Sequence, residues 1–249
     1  MVDLEDIVFG RNAVESLLES NRSVNQLLLS NNIKRNPKTE KIISLAKKKG
    51  VKFSFVHQNR IEQIAEDGVH QGVLAFVTPI RYVTVDEILA EADRKNEPPF
   101  ILLLDSIEDP HNLGAIIRSA VAAGVHGIII PKHNSVPVNQ TVAKVSAGTV
   151  EQCKIARVNN LVNEMGKLKK AGLWFFGADH TAEKDYLETD FSGPIGIVMG
   201  SEGKGIRRLV RENCDFLVKI SMPGPVESLN VSVSTALLVF KVLEKRLSK

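Results

Sequence analysis

From Phe100 to its end, the chain alternates short apolar runs with longer segments of helical periodicity. Strands that are buried on both faces appear as continuous apolar runs, so this alternation predicts a doubly wound α/β domain with a mostly parallel sheet and helices on both faces. The predicted strands are 100–104, 127–130, 173–177, 195–199 and 216–220, and the predicted helices are 112–123, 139–146, 160–170, 206–213 and 229–247.

The first part of the chain has a shorter alternation of its own. Strands are predicted at 24–29, 52–56 and 72–77, and helices at 11–20, 37–49 and 60–66. Residues 78–99 are polar and rich in proline, with one helical stretch at 84–93. These patterns predict a small α/β domain at residues 1–78, a linker at 79–98 and a larger domain at 99–249.

Positive charge is concentrated in one stretch of the first domain. Between Arg22 and Arg60 there are ten Lys and Arg but one acidic residue, whereas the other 210 residues carry 22 basic and 28 acidic side chains. Such a patch could neutralise the phosphates of a nucleic acid. It could equally be a solvated face, because Lys47, Lys48 and Lys49 point in different directions around a helix.

Two cysteines and the N-terminus indicate where the protein works. Cys153 and Cys214 are far apart and neither belongs to a CxxC pair, so they predict buried apolar packing and a reducing cytoplasm rather than a disulfide or zinc site. The acidic N-terminus does not resemble a signal peptide, and the apolar runs are too short to cross a bilayer. We therefore expect a cytoplasmic protein with no metal.

Three polar motifs follow predicted strands, at the edge where open α/β sheets bind their ligands. In the first, Asp109-Pro110 forces an extended turn, and Asn112 falls at a suitable N-cap position with Arg118 about two turns into the helix. Taken singly, Asn112 could be only a cap and Arg118 only a surface ion pair. His111 is interpreted as a turn residue.

The second motif, Gly200-Ser-Glu-Gly-Lys-Gly205, is a glycine-rich loop whose backbone N–H groups are open to a ligand. It fits neither the phosphate-binding P-loop nor the dinucleotide fingerprint. The third motif places Ser228, Asn230, Ser232 and Ser234 at the start of a long apolar helix. Polar residues there are costly unless they cap the helix or contact a ligand, and we expect both.

In this order and spacing, the three motifs resemble those of the SpoU/TrmH branch of the SPOUT methyltransferases. The resemblance implies a C-terminal trefoil-knotted domain that moves a methyl group from S-adenosylmethionine to a ribose 2′-hydroxyl of RNA. It also implies a homodimer whose active sites are completed across the two-fold interface. By motif position, the implied catalytic residues are Asn112, Arg118, Glu202, Ser228 and Asn230, and the implied cofactor-binding residues are Gly200, Ile220, Met222 and Leu229.

The family mechanism makes the residue at the position of Arg118 the general base, aided by an RNA phosphate. Since the pKa of a guanidinium is above about 12, the side chain could instead hold the phosphate and polarise the hydroxyl. Asn112, Glu202, Ser228 and Asn230 would orient the ribose and the base, and most of the rate gain would come from positioning.

The N-terminal region resembles the substrate-binding domain that some family members carry. Residues 9–14 and 68–73 carry this resemblance. That domain is similar in fold to ribosomal proteins that bind kinked RNA, and it favours ribosomal RNA, most of all a guanosine of 23S rRNA, as the substrate. Transfer RNA methylation, antibiotic-resistance methylation of rRNA and non-catalytic RNA binding remain alternatives. A cofactor-dependent oxidoreductase would also explain the α/β pattern, but the glycine fingerprint is missing.

Overall fold

The computed structural model describes residues 6–19, 23–65, 68–77, 81–226 and 228–248. The chain forms two compact units, Met1–Ile80 and Arg81–Lys249. No helix among the described residues is long and apolar enough to cross a membrane.

Where the structure describes it, the first unit is a four-stranded mixed sheet with three helices. Its strands are β1 (Asp6–Phe9), β2 (Val24–Ser30), β3 (Phe53–Val56) and β4 (Val73–Val77), and its helices are α1 (Arg11–Glu19), α2 (Pro37–Lys48) and α3 (Gln58–Ala65). The strand order is β1-β4-β2-β3, with β2 and β3 parallel and the other pairs antiparallel. The sequence pattern did not predict β1.

The second unit contains the remaining strands and helices. Its strands are β5 (Phe100–Leu104), β6 (Gly127–Pro131), β7 (Ile155–Val158), β8 (Trp174–Ala178), β9 (Ile195–Met199) and β10 (Phe216–Val218). Its helices are α4 (Val85–Lys95), α5 (Pro110–Ala122), α6 (Gln140–Val145), α7 (Leu161–Lys170), α8 (Arg208–Glu212) and α9 (Val231–Leu247), with 3₁₀ turns at Thr149–Gln152 and Tyr186–Glu188.

These six strands form one parallel sheet in the order β10-β8-β9-β5-β6-β7. Every residue of β5, β6 and β9 is buried, as the continuous apolar runs predict for central strands covered on both faces. The α/β class and the mostly parallel sheet are therefore confirmed. The edge strand β7 was not predicted, because the charged Arg157 interrupts its apolar run.

Helix α4 corrects the interpretation of residues 79–98 as a linker. Val85 and Ile88 of this helix are buried in the core of the second unit with Ile101, Leu103 and Phe175. The fit is close, since a Cβ atom added at Gly127 would lie 2.6 Å from the side chain of Ile88. Most of the predicted linker is therefore an integral helix of the second unit, and the polar composition of residues 78–99 concealed its buried face.

The two cysteines have a structural role. Cys214 packs partly buried against the core of the second unit, and Cys153 is also partly buried. Burial raises the pKa of both thiols to about 12, so both stay protonated at neutral pH and are poor nucleophiles. This agrees with the interpretation of both residues as apolar packing groups.

Candidate active site

The first motif forms the start of α5, and the structure corrects the identity of its cap. Asp109, not Asn112, is the N-cap, and its carboxylate accepts hydrogen bonds from the backbone N–H groups of His111 and Asn112. Pro110 follows at the first helical position, where its missing N–H costs nothing. Because Asp109 satisfies the helix end, the buried side chain of Asn112 is available for tertiary contacts.

That side chain meets the other two motifs in one hydrogen-bonded group. Asn112 Nδ2 donates to Glu202 Oε1 at 3.2 Å, and Asn230 Nδ2 donates to the same oxygen at 2.6 Å and to Asn112 Oδ1 at 3.0 Å. The three residues are 28 to 118 positions apart in the sequence. Three predicted site residues are thus brought together, and we call them the polar triad.

Asn230 also begins the C-terminal helix. Its Oδ1 accepts hydrogen bonds from the backbone N–H of Ser232 at 2.9 Å and from the Ser232 hydroxyl at 2.5 Å, which makes it the N-cap of α9. The backbone N–H of Val231 points to Glu202 Oε1 at 3.3 Å. A carboxylate at a helix N-terminus is stabilised by the helix dipole. Of the two expected uses of this motif, Asn230 provides the cap, and contact with a ligand stays a prediction.

The second motif is a closed loop after β9. Ser201 and Gly205 exchange two backbone hydrogen bonds of 3.1 and 2.9 Å, and Gly203 and Gly205 have φ values of +79° and +65°. A Cβ atom at Gly200 would lie 2.0 Å from the carbonyl carbon of Gly205. The loop therefore folds back so tightly on its first residue that only glycine fits there.

A buried ion pair that the sequence pattern did not reveal fixes the end of this loop. Asp105 directly follows β5 and is completely buried. Its carboxylate accepts hydrogen bonds from the backbone N–H of Arg207 at 2.8 Å and from Arg207 Nε at 2.7 Å, with Nη2 at 2.6 Å. The residues are 102 positions apart, and only the place of Asp105 at the end of an apolar strand pointed to it.

We expect Asp105→Asn to loosen the glycine loop. The neutral amide has one acceptor oxygen where the carboxylate has two, so at least one charge-assisted bond to Arg207 is lost. Hydrogen bonds to charged groups contribute about 1.5–3 kcal/mol each, and part of that should appear as a lower free energy of unfolding in urea. The dissociation constant for S-adenosylhomocysteine, measured by calorimetry, should rise. The exposed Asp190→Asn is the control, and equal affinities for the two variants would contradict this role.

Arg118 does not join the polar triad in this chain. It is exposed and has no hydrogen bond or ion pair among the described residues. It follows Asn112 by six residues on α5, which puts it about 9 Å farther along the helix axis and on a different side of the helix. Within one chain, Arg118 therefore makes no hydrogen bond to the polar triad, and its implied catalytic role stays a prediction.

The remaining predicted site residues lie in the segment between β10 and α9 and make few contacts. Ile220 and Met222 follow β10, and Ser228 and Leu229 precede the cap of α9. Within the described residues, the backbone groups of Ile220, Met222 and Leu229 have no hydrogen-bond partners. Open backbone donors and acceptors beside partly buried apolar side chains fit the adenosine of S-adenosylmethionine, which needs hydrogen bonds but no opposite charge.

Within the same described ranges, no three His, Cys, Asp or Glu side chains are grouped so that they could hold a metal ion. The polar triad itself consists of two amides and one carboxylate.

Two family models match the chain. The SpoU rRNA Methylase family matches residues 99–240, and the model for RNA 2′-O ribose methyltransferase substrate binding matches residues 7–83. Among curated proteins, YacO of Bacillus subtilis, named in the TrmH family of tRNA/rRNA methyltransferases, is 44% identical over 99% of this chain and 98% of its own. A Staphylococcus saprophyticus protein named in the same family is 41% identical over 97% and 96%.

Solved structures share the fold at lower identity. The SpoU methyltransferase AviRb of Streptomyces viridochromogenes, solved with S-adenosylmethionine, has a TM-score of 0.74 at 23% identity over 98% of this chain and 91% of its own. An rRNA methyltransferase of Sinorhizobium meliloti, also solved with this cofactor, has a TM-score of 0.68 at 24% identity over 96% and 87%. The chain belongs to the SpoU rRNA methylase family and is an RNA methyltransferase that uses S-adenosylmethionine.

Proposed function

We propose that this enzyme methylates the ribose 2′-hydroxyl of a guanosine in 23S rRNA. The observation that supports methyl transfer at this site is the polar triad, in which one side chain from each motif meets beside the glycine loop. Ribosomal RNA is favoured because the structures described as rRNA methyltransferases cover 96–97% of this chain. Two structures described as acting on tRNA cover only 61–65%.

The cofactor supplies an electrophilic methyl group on a sulfonium, and the residues of the chain align the acceptor oxygen with it. Glu202 uses Oε1 for the hydrogen bonds within the triad, while Oε2 has no partner in the described part of the chain. We assign Oε2 to the ribose or base of the target nucleotide, with Asn112 and Asn230 fixing its position. Such alignment can supply about 7–11 kcal/mol of the activation free energy.

Loss of the hydroxyl proton is assigned to an RNA phosphate that Arg118 holds beside the ribose, because a guanidinium is already protonated and cannot accept the proton itself, but Arg118 stands apart from the triad of its own chain. We therefore propose a homodimer in which Arg118 of each chain completes the site of the other. Helix α9 presents an apolar face for this contact, since Val233, Leu237 and Phe240 are 36–47% exposed. In an isologous interface, the same face of both chains would be buried. The trefoil knot and a cytoplasmic location stay predictions.

The first unit is assigned to RNA binding. It contains a cavity of about 690 Å³ lined by the cations Arg11, Lys34 and Lys38 together with amides, and no described carboxylate lines it. Lys38 bonds to Asn12 and pairs with Glu15, so it is partly neutralised, whereas Lys34 is exposed. Within the basic stretch, the residues at this cavity are therefore the ones that we expect to contact phosphate.

Salt dependence separates a phosphate-binding patch from a solvated face. Lys34→Gln should reduce the slope of log K against log salt for binding an rRNA transcript by roughly 0.7–0.9. Lys48→Gln, on the exposed end of α2, should leave the slope unchanged. Fluorescence anisotropy titrations between low and physiological salt would measure both slopes. Equal slopes would mean that the charge at the cavity does not contact RNA backbone.

The proposed activity is tested by incubating the enzyme with labelled S-adenosylmethionine and rRNA from a strain that lacks the gene. Digestion to nucleosides should show the label in 2′-O-methylguanosine, and primer extension at low nucleotide concentration should map it to one site of 23S rRNA. Label on a base, label only in tRNA, or no transfer at all would each overturn the proposal. The last outcome together with retained RNA binding would indicate a non-catalytic RNA-binding protein.

A further inference from the structure

A second cavity lies in the methyltransferase unit, at the carboxyl ends of β6 and β7 and the start of α7. Its volume is about 340 Å³, and the residues that matter for its chemistry are Lys132, Arg157, Asn160, Glu164 and Lys167. None of these residues belongs to the three motifs or to the polar triad. The edge of the sheet is the same one that carries the candidate active site.

Arg157 is the fixed cation of this cavity. Its Nη2 donates to the backbone oxygen of Lys132 at 2.9 Å, and its guanidinium stacks over the ring of Tyr82 at 5.1 Å. The Nε atom is buried and has no partner among the described residues. A buried donor without a partner is rare in folded proteins, and a missing ligand is one explanation. A guanidinium whose plane is fixed is suited to form hydrogen bonds with the oxygens of a phosphate.

The charges around the cavity favour an anion. Glu164 is paired with Lys167 at 2.9 Å and has little effect at a distance, which leaves the charges of Arg157 and Lys132 in excess. Asn160 caps α7 by accepting a hydrogen bond from the backbone N–H of Asn163. The positive end of the helix dipole therefore adds to these two side chains.

The place of the cavity on the sheet indicates which anion reaches it. Strand β6 pairs with β5, whose following loop leads to Asn112, and β7 pairs with β6. Neighbouring strands are about 4.8 Å apart, so the cavity is one to two strand spacings from the end of β5. A single RNA strand whose target ribose lies at the triad can extend over this distance.

We propose that this cavity is a subsite for a backbone phosphate of the RNA substrate next to the target nucleotide. The inference rests on the proposed function, because it takes the ligand to be the RNA that is methylated. Arg157 would form hydrogen bonds to the phosphate oxygens, and Lys132 and the end of α7 would add charge. The subsite recognises the backbone, so it positions the RNA without reading its sequence.

Lys132→Gln in the full-length enzyme tests the subsite. Only the backbone oxygen of Lys132 holds Arg157, and the side chain is exposed, so the variant keeps the local structure. For a 23S rRNA transcript, we expect the slope of log K against log salt to fall by roughly 0.7–0.9. The KM for the transcript should rise, while kcat and the dissociation constant for S-adenosylhomocysteine should stay unchanged. Lys170→Gln, an exposed lysine on the same helix α7 but outside the cavity, is the matched control.

The outcomes separate the subsite from the function on which it rests. If the unmodified enzyme methylates the transcript and Lys132→Gln has the same salt slope and KM as Lys170→Gln, the subsite is overturned and the proposed function stands. If the unmodified enzyme transfers no methyl group to RNA, the proposed function is overturned and the subsite with it. Arg157→Lys provides a second readout, because it keeps the charge but not the planar donor group, and it should also raise KM.

Discussion

Replacing Arg118 with alanine is expected to lower kcat for methyl transfer by about 10²- to 10⁴-fold, the usual contribution of a group that assists proton transfer in the transition state. The dissociation constant for S-adenosylhomocysteine should not change, because we assign Arg118 to the RNA side of the site and it has no hydrogen bond to the glycine loop of its own chain. Calorimetry and single-turnover methylation of rRNA would measure the two quantities. The exposed Arg94→Ala on α4 is the control for loss of one surface charge.

Mixed dimers test whether Arg118 acts across the interface. Arg118→Ala and Asn112→Ala should each be inactive alone. If each chain supplies Arg118 to its partner, a mixed dimer has one site with both residues intact, and random mixing should restore about a quarter of wild-type activity by the symmetry of the dimer. If Arg118 acts within its own chain, both sites of the mixed dimer stay defective and activity does not recover. A monomer by sedimentation would also contradict this arrangement.

Gly200→Ala is expected to abolish cofactor binding while the protein stays folded. The added Cβ would lie 2.0–2.3 Å from backbone atoms of Gly205 and Ile206, and backbone cannot move aside as a flexible side chain can. The loop must therefore open, which separates Ser201 from Gly205 and displaces Glu202. Differential scanning fluorimetry should show no stabilisation by S-adenosylhomocysteine, whereas a ligand at 100 times its dissociation constant adds about 2.7 kcal/mol to the native state of a competent protein.

Gly166→Ala is the matched control for this prediction. Gly166 lies in α7, its φ is not positive, and an added Cβ would meet nothing within 4 Å. Alanine should therefore be tolerated there, and it should stabilise the helix slightly because glycine is a poor helix former. Retained cofactor binding by Gly200→Ala would show that the loop does not need its closed form.

Much of the fold could be predicted from the sequence because it is encoded in local patterns. Strand β5 and strand β9 are unbroken apolar runs, and such runs have few alternatives to a central position in a parallel sheet. The helices were predicted because apolar periodicity and caps such as Asn139 and Asn160 act within a few residues. Strands β1 and β7 were not predicted, and the pairing with neighbouring strands that stabilises them is not local.

The residues of the polar triad could also be predicted only in part. Motif spacing selected Asn112, Glu202 and Asn230, but it assigned the cap of α5 to Asn112. Two polar residues three positions apart, Asp109 and Asn112, compete for that role, and only the helix geometry decides between them. Motif spacing also grouped Arg118 with the triad, although the turn of α5 between Asn112 and Arg118 places the two side chains on different sides.

The sequence by itself therefore determined the class of fold, the three motifs and the family, since each depends on residues that are close along the chain. The tertiary structure alone decided which side chains share the site. Asp105 pairs with Arg207, which is 102 positions away. Arg157 stacks on the ring of Tyr82, although β5, β6 and their connecting helices lie between the two residues in the sequence. Contacts of this kind depend on how the sheet is ordered and how its loops close, and no periodicity in the sequence records that.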